Sequence, residues 1–232
     1  MRIAVINGQN HKGSTYHIGR MLAEKLADDE DIEELFFPKD MPHFCCGCVK
    51  CIIEDEKLCP HYSYLEPITK IIDNSDVLIF TTPVYVFHAT GSMKALLDHY
   101  AYRWMVHRPE EKMFAKQAVC ISTAAGAGMK SANKDIKDSL FYWGIPKIYC
   151  YGISVQATSW DTVTMKKKEK IENKITRLAK AVIRKDGKAH FNLKTRLFFY
   201  IMRKVNKNPW NAVDREYWKL KGWLNSERPW KN

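Results

Sequence analysis

Five short, almost wholly apolar runs divide the first two thirds of this 232-residue chain, and they decide what it can fold into. They are residues 2–7, 34–37, 76–82, 118–122 and 147–153, rich in Ile, Val and aromatic residues and stopped by Gly8, Pro38 and Pro83. Between them, apolar residues recur at helical spacing over 14–26, 64–72, 92–102 and 131–141, and a basic helix is predicted over 166–184. Strands this apolar are buried on both faces, and alternation with helices predicts a parallel sheet between two helical layers. Five strands of this kind predict the order 2-1-3-4-5. Ligands then gather beyond the carboxyl ends of the strands, in the loops after Asn7, Thr82 and Ser122.

No stretch approaches the roughly 18 apolar residues of a membrane span. Met1–Ile6 runs straight into the first strand without the apolar core and cleavage site of a secretory signal, so a cytoplasmic protein with reduced cysteines is expected. The formal charge of +11 is unevenly placed: residues 165–232 hold 20 Lys and Arg against 6 Asp and Glu, the rest 17 against 20. A solvated helix face, an anionic membrane, nucleic acid and an acidic partner all fit such an excess.

The first ligand loop, Gly8-Gln9-Asn10-His11-Lys12-Gly13-Ser14-Thr15, has the glycine spacing of a P-loop but Ser14 where the lysine belongs. A nucleoside-triphosphatase is therefore excluded, and no G-x-G-x-x-G turn is present. The remaining features, a polar turn with hydroxyls opening a helix, suit one phosphate group or a simple helix cap. The second loop, Thr81-Thr82-Pro83-Val84-Tyr85-Val86-Phe87-His88-Ala89-Thr90-Gly91-Ser92-Met93-Lys94-Ala95-Leu96-Leu97-Asp98, resembles the signature S/T-P-x-Y-x4-S/T-G-x2-K-x3-D of the NADPH-dependent FMN reductase family. Gly13-Ser14-Thr15 also matches that family's phosphate loop, whereas Gln9 and His11 replace its usual Ser and Arg. The resemblance covers about residues 1–155. It implies a flavodoxin-like three-layer α/β sandwich that binds FMN. The phosphate would lie on Gln9, Asn10, His11, Gly13, Ser14 and Thr15. The ring would lie between Pro83, Val84, Tyr85, Val86 and Phe87 on one side and Thr123, Ala124, Gly126 and Gly128 on the other.

Five of the seven cysteines fall in residues 45–59. Cys45, Cys48, Cys51 and Cys59 are spaced C-x2-C-x2-C-x7-C and resemble the compact motif of iron–sulfur flavoproteins, a branch of the same family that carries a [4Fe–4S] cluster. Four thiolates equally suit tetrahedral zinc, and an unmetallated loop beside the flavin is a third reading. Cys120 and Cys150, inside strands, are expected to be buried.

The expectation is thus an FMN-dependent oxidoreductase that takes electrons from NAD(P)H and passes them to a small-molecule or redox-protein acceptor. An iron–sulfur electron carrier and a non-enzymatic basic adaptor for membrane or nucleic acid are the alternatives. The domain comprises residues 1–188 and is followed by a basic, aromatic-rich helical extension, 189–232. In the extension, Leu193, Leu197, Phe198, Ile201, Met202 and Val205 share a helical face, and four tryptophans follow. The resemblance implies a homo-oligomer, a dimer or a dimer of dimers, with this arm packed across its seam rather than on nucleic acid. A membrane surface is the rival.

Overall fold

The computed structural model describes residues 1–186 and 192–230. Strands β1 (Ile3–Asn7), β2 (Ile32–Phe36), β3 (Val77–Pro83), β4 (Gln117–Ala124) and β5 (Lys147–Ser154) form one parallel sheet in the order β2-β1-β3-β4-β5. The helices are α1 (Ser14–Glu24), α2 (Lys50–Ile53), α3 (Tyr62–Asn74), α4 (Gly91–His99), α5 (Met129–Tyr142), α6 (Met165–Ile183), α7 (Leu193–Val205) and α8 (Ala212–Leu220). The expected sandwich is the observed one.

Each central strand feeds two cores, because successive side chains leave on opposite faces. Ala4, Ile6, Leu78, Phe80, Ala118 and Cys120 meet α3, α4 and α5. Ile3, Val5, Val77, Ile79, Val119 and Ile121 meet α1 and α6. α1 comes unusually close to the sheet at Gly19, where a Cβ would stand 2.4 Å from the Thr81 methyl.

Two expectations need correction. β2 begins at Ile32 rather than Glu34, since an edge strand tolerates Glu33 on its outer side while Ile32 pairs with Ile3. Cys150 is exposed, because β5 is the opposite edge; Cys120, its neighbour on β4, is buried as expected. The expected apolar face of α7 is divided: Phe198 and Met202 pack on the chain's own aromatic core, and the rest is exposed. Thr195 and Phe199 point inward, and Leu193, Leu197, Ile201 and Val205 point out.

The extension packs on its own chain. Phe199, Trp218 and Trp223 join Met105 and Phe114 in a third core, and Phe199 stacks within 4.9 Å of Trp218. Two of the tryptophans expected at a seam between copies are thus consumed within one chain, while Trp210 is exposed. The expected boundary at 188/189 lies outside the described residues.

Candidate active site

The predicted ligand loops converge at the carboxyl ends of β1, β3 and β4. Gly8 N donates to Thr81 O at 2.7 Å, and the hydroxyls of Thr90 and Ser92 both donate to Gly8 O at 2.7 Å, so the signature segment around α4 grips the first loop. Thr15 Oγ1 and Thr123 Oγ1 lie 2.5 Å apart, joining the start of α1 to the end of β4. Tyr85 donates its hydroxyl to Gln9 Oε1 at 2.7 Å, and Gln9 Nε2 meets His11 Nε2 at 3.1 Å. Asn10 turns away to accept from Lys39 N at 3.2 Å.

The α1 N-terminus has no side-chain cap and no acidic residue in its first turn, and Gly13 occupies the cap position. Thr90 caps α4, Asn192 caps α7 and Asn211 caps α8, whereas α2, α3, α5 and α6 lack a side-chain cap as α1 does. The backbone N–H groups that open α1, with the positive end of its dipole, therefore suit an anion beside Ser14 and Thr15.

Tyr85 and His88 exchange backbone hydrogen bonds of 3.1 Å in both directions, closing a tight turn on Val86 and Phe87. Both central residues have positive φ, 49° and 66°, which a β-branched valine adopts only at a cost. The turn leaves Val86 93% exposed, with Tyr85 and Phe87 also exposed, so an apolar surface stands open beside the anion site. Facing it, Gly128 has φ +96°, and a Cβ there would meet Val84 Cγ1 at 2.6 Å and the Phe87 Cα at 3.0 Å. Val84 N also donates to Thr123 O at 2.8 Å. A phosphate seat next to a flat apolar wall is the shape of a flavin mononucleotide, and these residues fit it.

The family model for NADPH-dependent FMN reductase matches residues 1–159. The chain belongs to the NADPH-dependent FMN reductase family. It is a NAD(P)H-dependent flavoprotein oxidoreductase that uses FMN. Among curated relatives, the chain is 24% identical to an iron–sulfur flavoprotein of Archaeoglobus fulgidus over 84% of its own length and 86% of the relative's. It is 28% identical to an iron–sulfur flavoprotein of Clostridioides difficile over 79% of this chain and 78% of that one. Among solved structures, an FMN-dependent NADH-azoreductase from Bacillus anthracis in complex with FMN shares the fold with a TM-score of 0.55 at 13% identity, covering 77% of this chain and all of that one. FerB, a flavoenzyme NAD(P)H:acceptor oxidoreductase from Paracoccus denitrificans, does so with a TM-score of 0.52 at 19% identity over 79% and 97%.

This member of the reductase family also gathers its cysteine loop into one cavity of about 330 Å³, lined by Cys45, Cys46, Cys48, Cys51 and Cys59. All five thiols are free. Burial, reinforced by neighbouring thiolates, pushes Cys51 up to about 11. Burial also raises Cys59, whereas a backbone hydrogen bond from Lys50 lowers Cys48. The thiols of Cys51 and Cys59 thus face one another's charge and that of their neighbours in this cavity.

Two further residues at this cavity went unnoticed in the sequence. His99, buried at the end of α4, donates Nδ1–H to Ala95 O at 2.7 Å, which aims its Nε2 away from the helix. That atom lies 2.9 Å from His61 Nδ1, and one ligand atom each of Cys59, His61 and His99 fall within 4.8 Å of one another. A backbone carbonyl that fixes a histidine tautomer in this way is a common outer support of metal sites. The His61 spacing from Cys59 could have flagged it; nothing in sequence brings His99 there.

Proposed function

We propose that the chain holds FMN with its phosphate on the α1 N-terminus and its ring against the Tyr85–Phe87 turn. We further propose that it takes hydride from a nicotinamide cofactor and delivers electrons to a second acceptor. The observation that carries this reading is the uncapped α1 N-terminus beside that exposed turn. FMN, when bound, supplies the two-electron chemistry. The residues do the rest: Ser14 and Thr15 orient the phosphate, the Tyr85–Gln9 bond fixes the wall, and Gly128 lets the two walls close.

The second part of the proposal is that Cys45, Cys48, Cys51 and Cys59 hold a [4Fe–4S] cluster, which would supply one-electron transfer. It is supported by the shared cavity and by the curated relatives, which are iron–sulfur flavoproteins. A homodimer in the cytoplasm remains the working assembly. Among the described residues no helix is long and apolar enough to cross a membrane.

The test is spectroscopic. Purified protein titrated with FMN under anaerobic conditions should bind it stoichiometrically, and NADPH or NADH should bleach its absorbance. Replacing Ser14 and Thr15 by Glu puts negative charge at the phosphate seat and should abolish retention. Unchanged FMN affinity in that double variant would overturn the assignment.

A further inference from the structure

We propose that the outer face of α7 lies on an anionic lipid surface. Thr195 and Phe199 anchor the inner face, Phe199 against Phe114, Trp218 and Trp223. On the other side Leu193, Leu197, Ile201 and Val205 recur every fourth residue, and all four are exposed, Leu193 to 69% and Leu197 to 59%. Residues at this spacing form an inclined ridge on a helix, here about 18 Å long. Trp210, 69% exposed, follows just beyond the end of α7.

The stripe does not end at the helix edge. It runs into a groove of about 690 Å³ between α5, α7 and the start of β5, walled by Phe141, Tyr142, Ile145 and Phe198. A continuous apolar surface of this kind on a soluble fold marks something that binds there.

The charges identify the occupant. Lys194 and Lys204 lie on α7 beside the stripe, with the Lys194 ammonium 4.7 Å from the Phe141 ring centroid at the groove; Lys207 lies just past the helix, and Lys137 and Lys147 line the groove. The one acidic residue lining the groove, Asp138, is paired with Lys134. A second copy docked face to face would set lysine against lysine. An anionic interface meets the same lysines with opposite charge, and their long stems let the ammonium groups rise to headgroup level while the leucines sink. An apolar row edged by lysines is the form such surface-lying helices take.

The placement suits a redox protein. Asn192, at the start of α7, donates to Pro146 O at 2.6 Å, just before β5 begins. The flavin site lies beyond the opposite ends of the strands, so docking by α7 leaves it open to a nicotinamide cofactor from solution.

Sedimentation with vesicles tests this. The full chain should pellet with vesicles of phosphatidylcholine mixed with phosphatidylglycerol, not with phosphatidylcholine alone, and should be released by high salt. Leu197→Glu with Ile201→Glu, both on the exposed face, should weaken binding by about tenfold or more while melting temperature and FMN content stay at wild-type values. Binding that the double variant leaves unchanged would overturn the proposal, and so would a chain that never pellets. A wild-type dimer that this variant converts to monomers, without vesicle binding, would assign the face to a second copy instead. Loss of FMN by the unaltered chain would bear on the proposed active site and leave vesicle binding as it is.

Discussion

Arg108 and Asp214 meet at 3.0 Å, both buried, and join the C-terminal extension to the cysteine loop. The same guanidinium donates to Ile52 O at 2.9 Å and to Cys51 O, and Asn211 Nδ2 donates to Ile52 O at 2.7 Å. His107 Nδ1 lies 2.8 Å from the other Asp214 oxygen. The loop that lines the thiol cavity is therefore held from behind by α8 and its cap.

Asp214→Asn keeps the shape and removes the charge, leaving Arg108 with the part-exposed Glu56, 3.7 Å away, as its carboxylate partner. Breaking a fully buried pair costs about 3–5 kcal/mol, and the cost here falls below that. The variant should melt several degrees lower, and Cys51 should react faster with a thiol reagent. Wild-type Cys51 reactivity in a destabilised Asp214→Asn protein would show that the clamp serves the third core alone.

The turn at Val86 and Phe87 stores backbone strain at the proposed flavin wall. Val86→Gly removes the penalty of a positive φ, about 1 kcal/mol or more, so the apoprotein should gain stability. It also removes an exposed apolar side chain from the wall, so FMN should bind more weakly. Calorimetric melting and fluorescence titration read the two effects separately. A variant that is no more stable than wild type would mean that the turn is relaxed by its neighbours.

The cysteine pair across β4 and β5 predicts a pH dependence. A hydrogen bond from Cys120 lowers Cys150 from 9.0 to about 7, and Cys150 is exposed. The anionic form of Cys150 is the favoured one of the pair, so its thiolate fraction falls as pH drops through its lowered value. Iodoacetamide labelling followed by mass spectrometry should show a midpoint near pH 7, and Cys120→Ala should move it upward. A midpoint that Cys120→Ala leaves in place would remove the hydrogen bond as the cause.

The sheet and most of its helices were legible because buried parallel strands are short, continuous apolar runs, whereas the edges misled. The charge of Glu33 hid the start of β2 at Ile32, and edge position exposed a cysteine that strand composition alone would bury. In α7 the apolar pattern was read correctly as a face. The third core takes Phe199, which lies off that face, together with Phe198 and Met202 from its edge and the tryptophans of α8 and beyond, a division that helical spacing alone does not encode. At the ligand loops, local motifs carried the reading because their residues lie on two short segments. The His61–His99 contact joins positions 38 residues apart through the packing of α4 near the cysteine loop, a relation no local pattern encodes.

The last prediction separates the cysteines of the loop. Cys46 lies between Cys45 and Gly47, outside the C-x2-C-x2-C-x7-C frame, and it is exposed. Cys48 and Cys51 are half-buried at the cavity, where the Arg108 clamp fixes the Cys51 carbonyl. Protein reconstituted anaerobically should therefore carry about four iron and four acid-labile sulfide per chain. Cys46→Ala should leave that content intact, and Cys48→Ala and Cys51→Ala should each remove most of it. His99→Ala should keep the iron while loosening the loop, since the histidine lies beside Cys59 without entering the frame. Equal loss from Cys46→Ala and Cys48→Ala would break the proposed ligand set. Iron without sulfide, or zinc in its place, would replace the cluster with a single ion, and His99→Ala would then remove the metal if His61 and His99 are among its ligands.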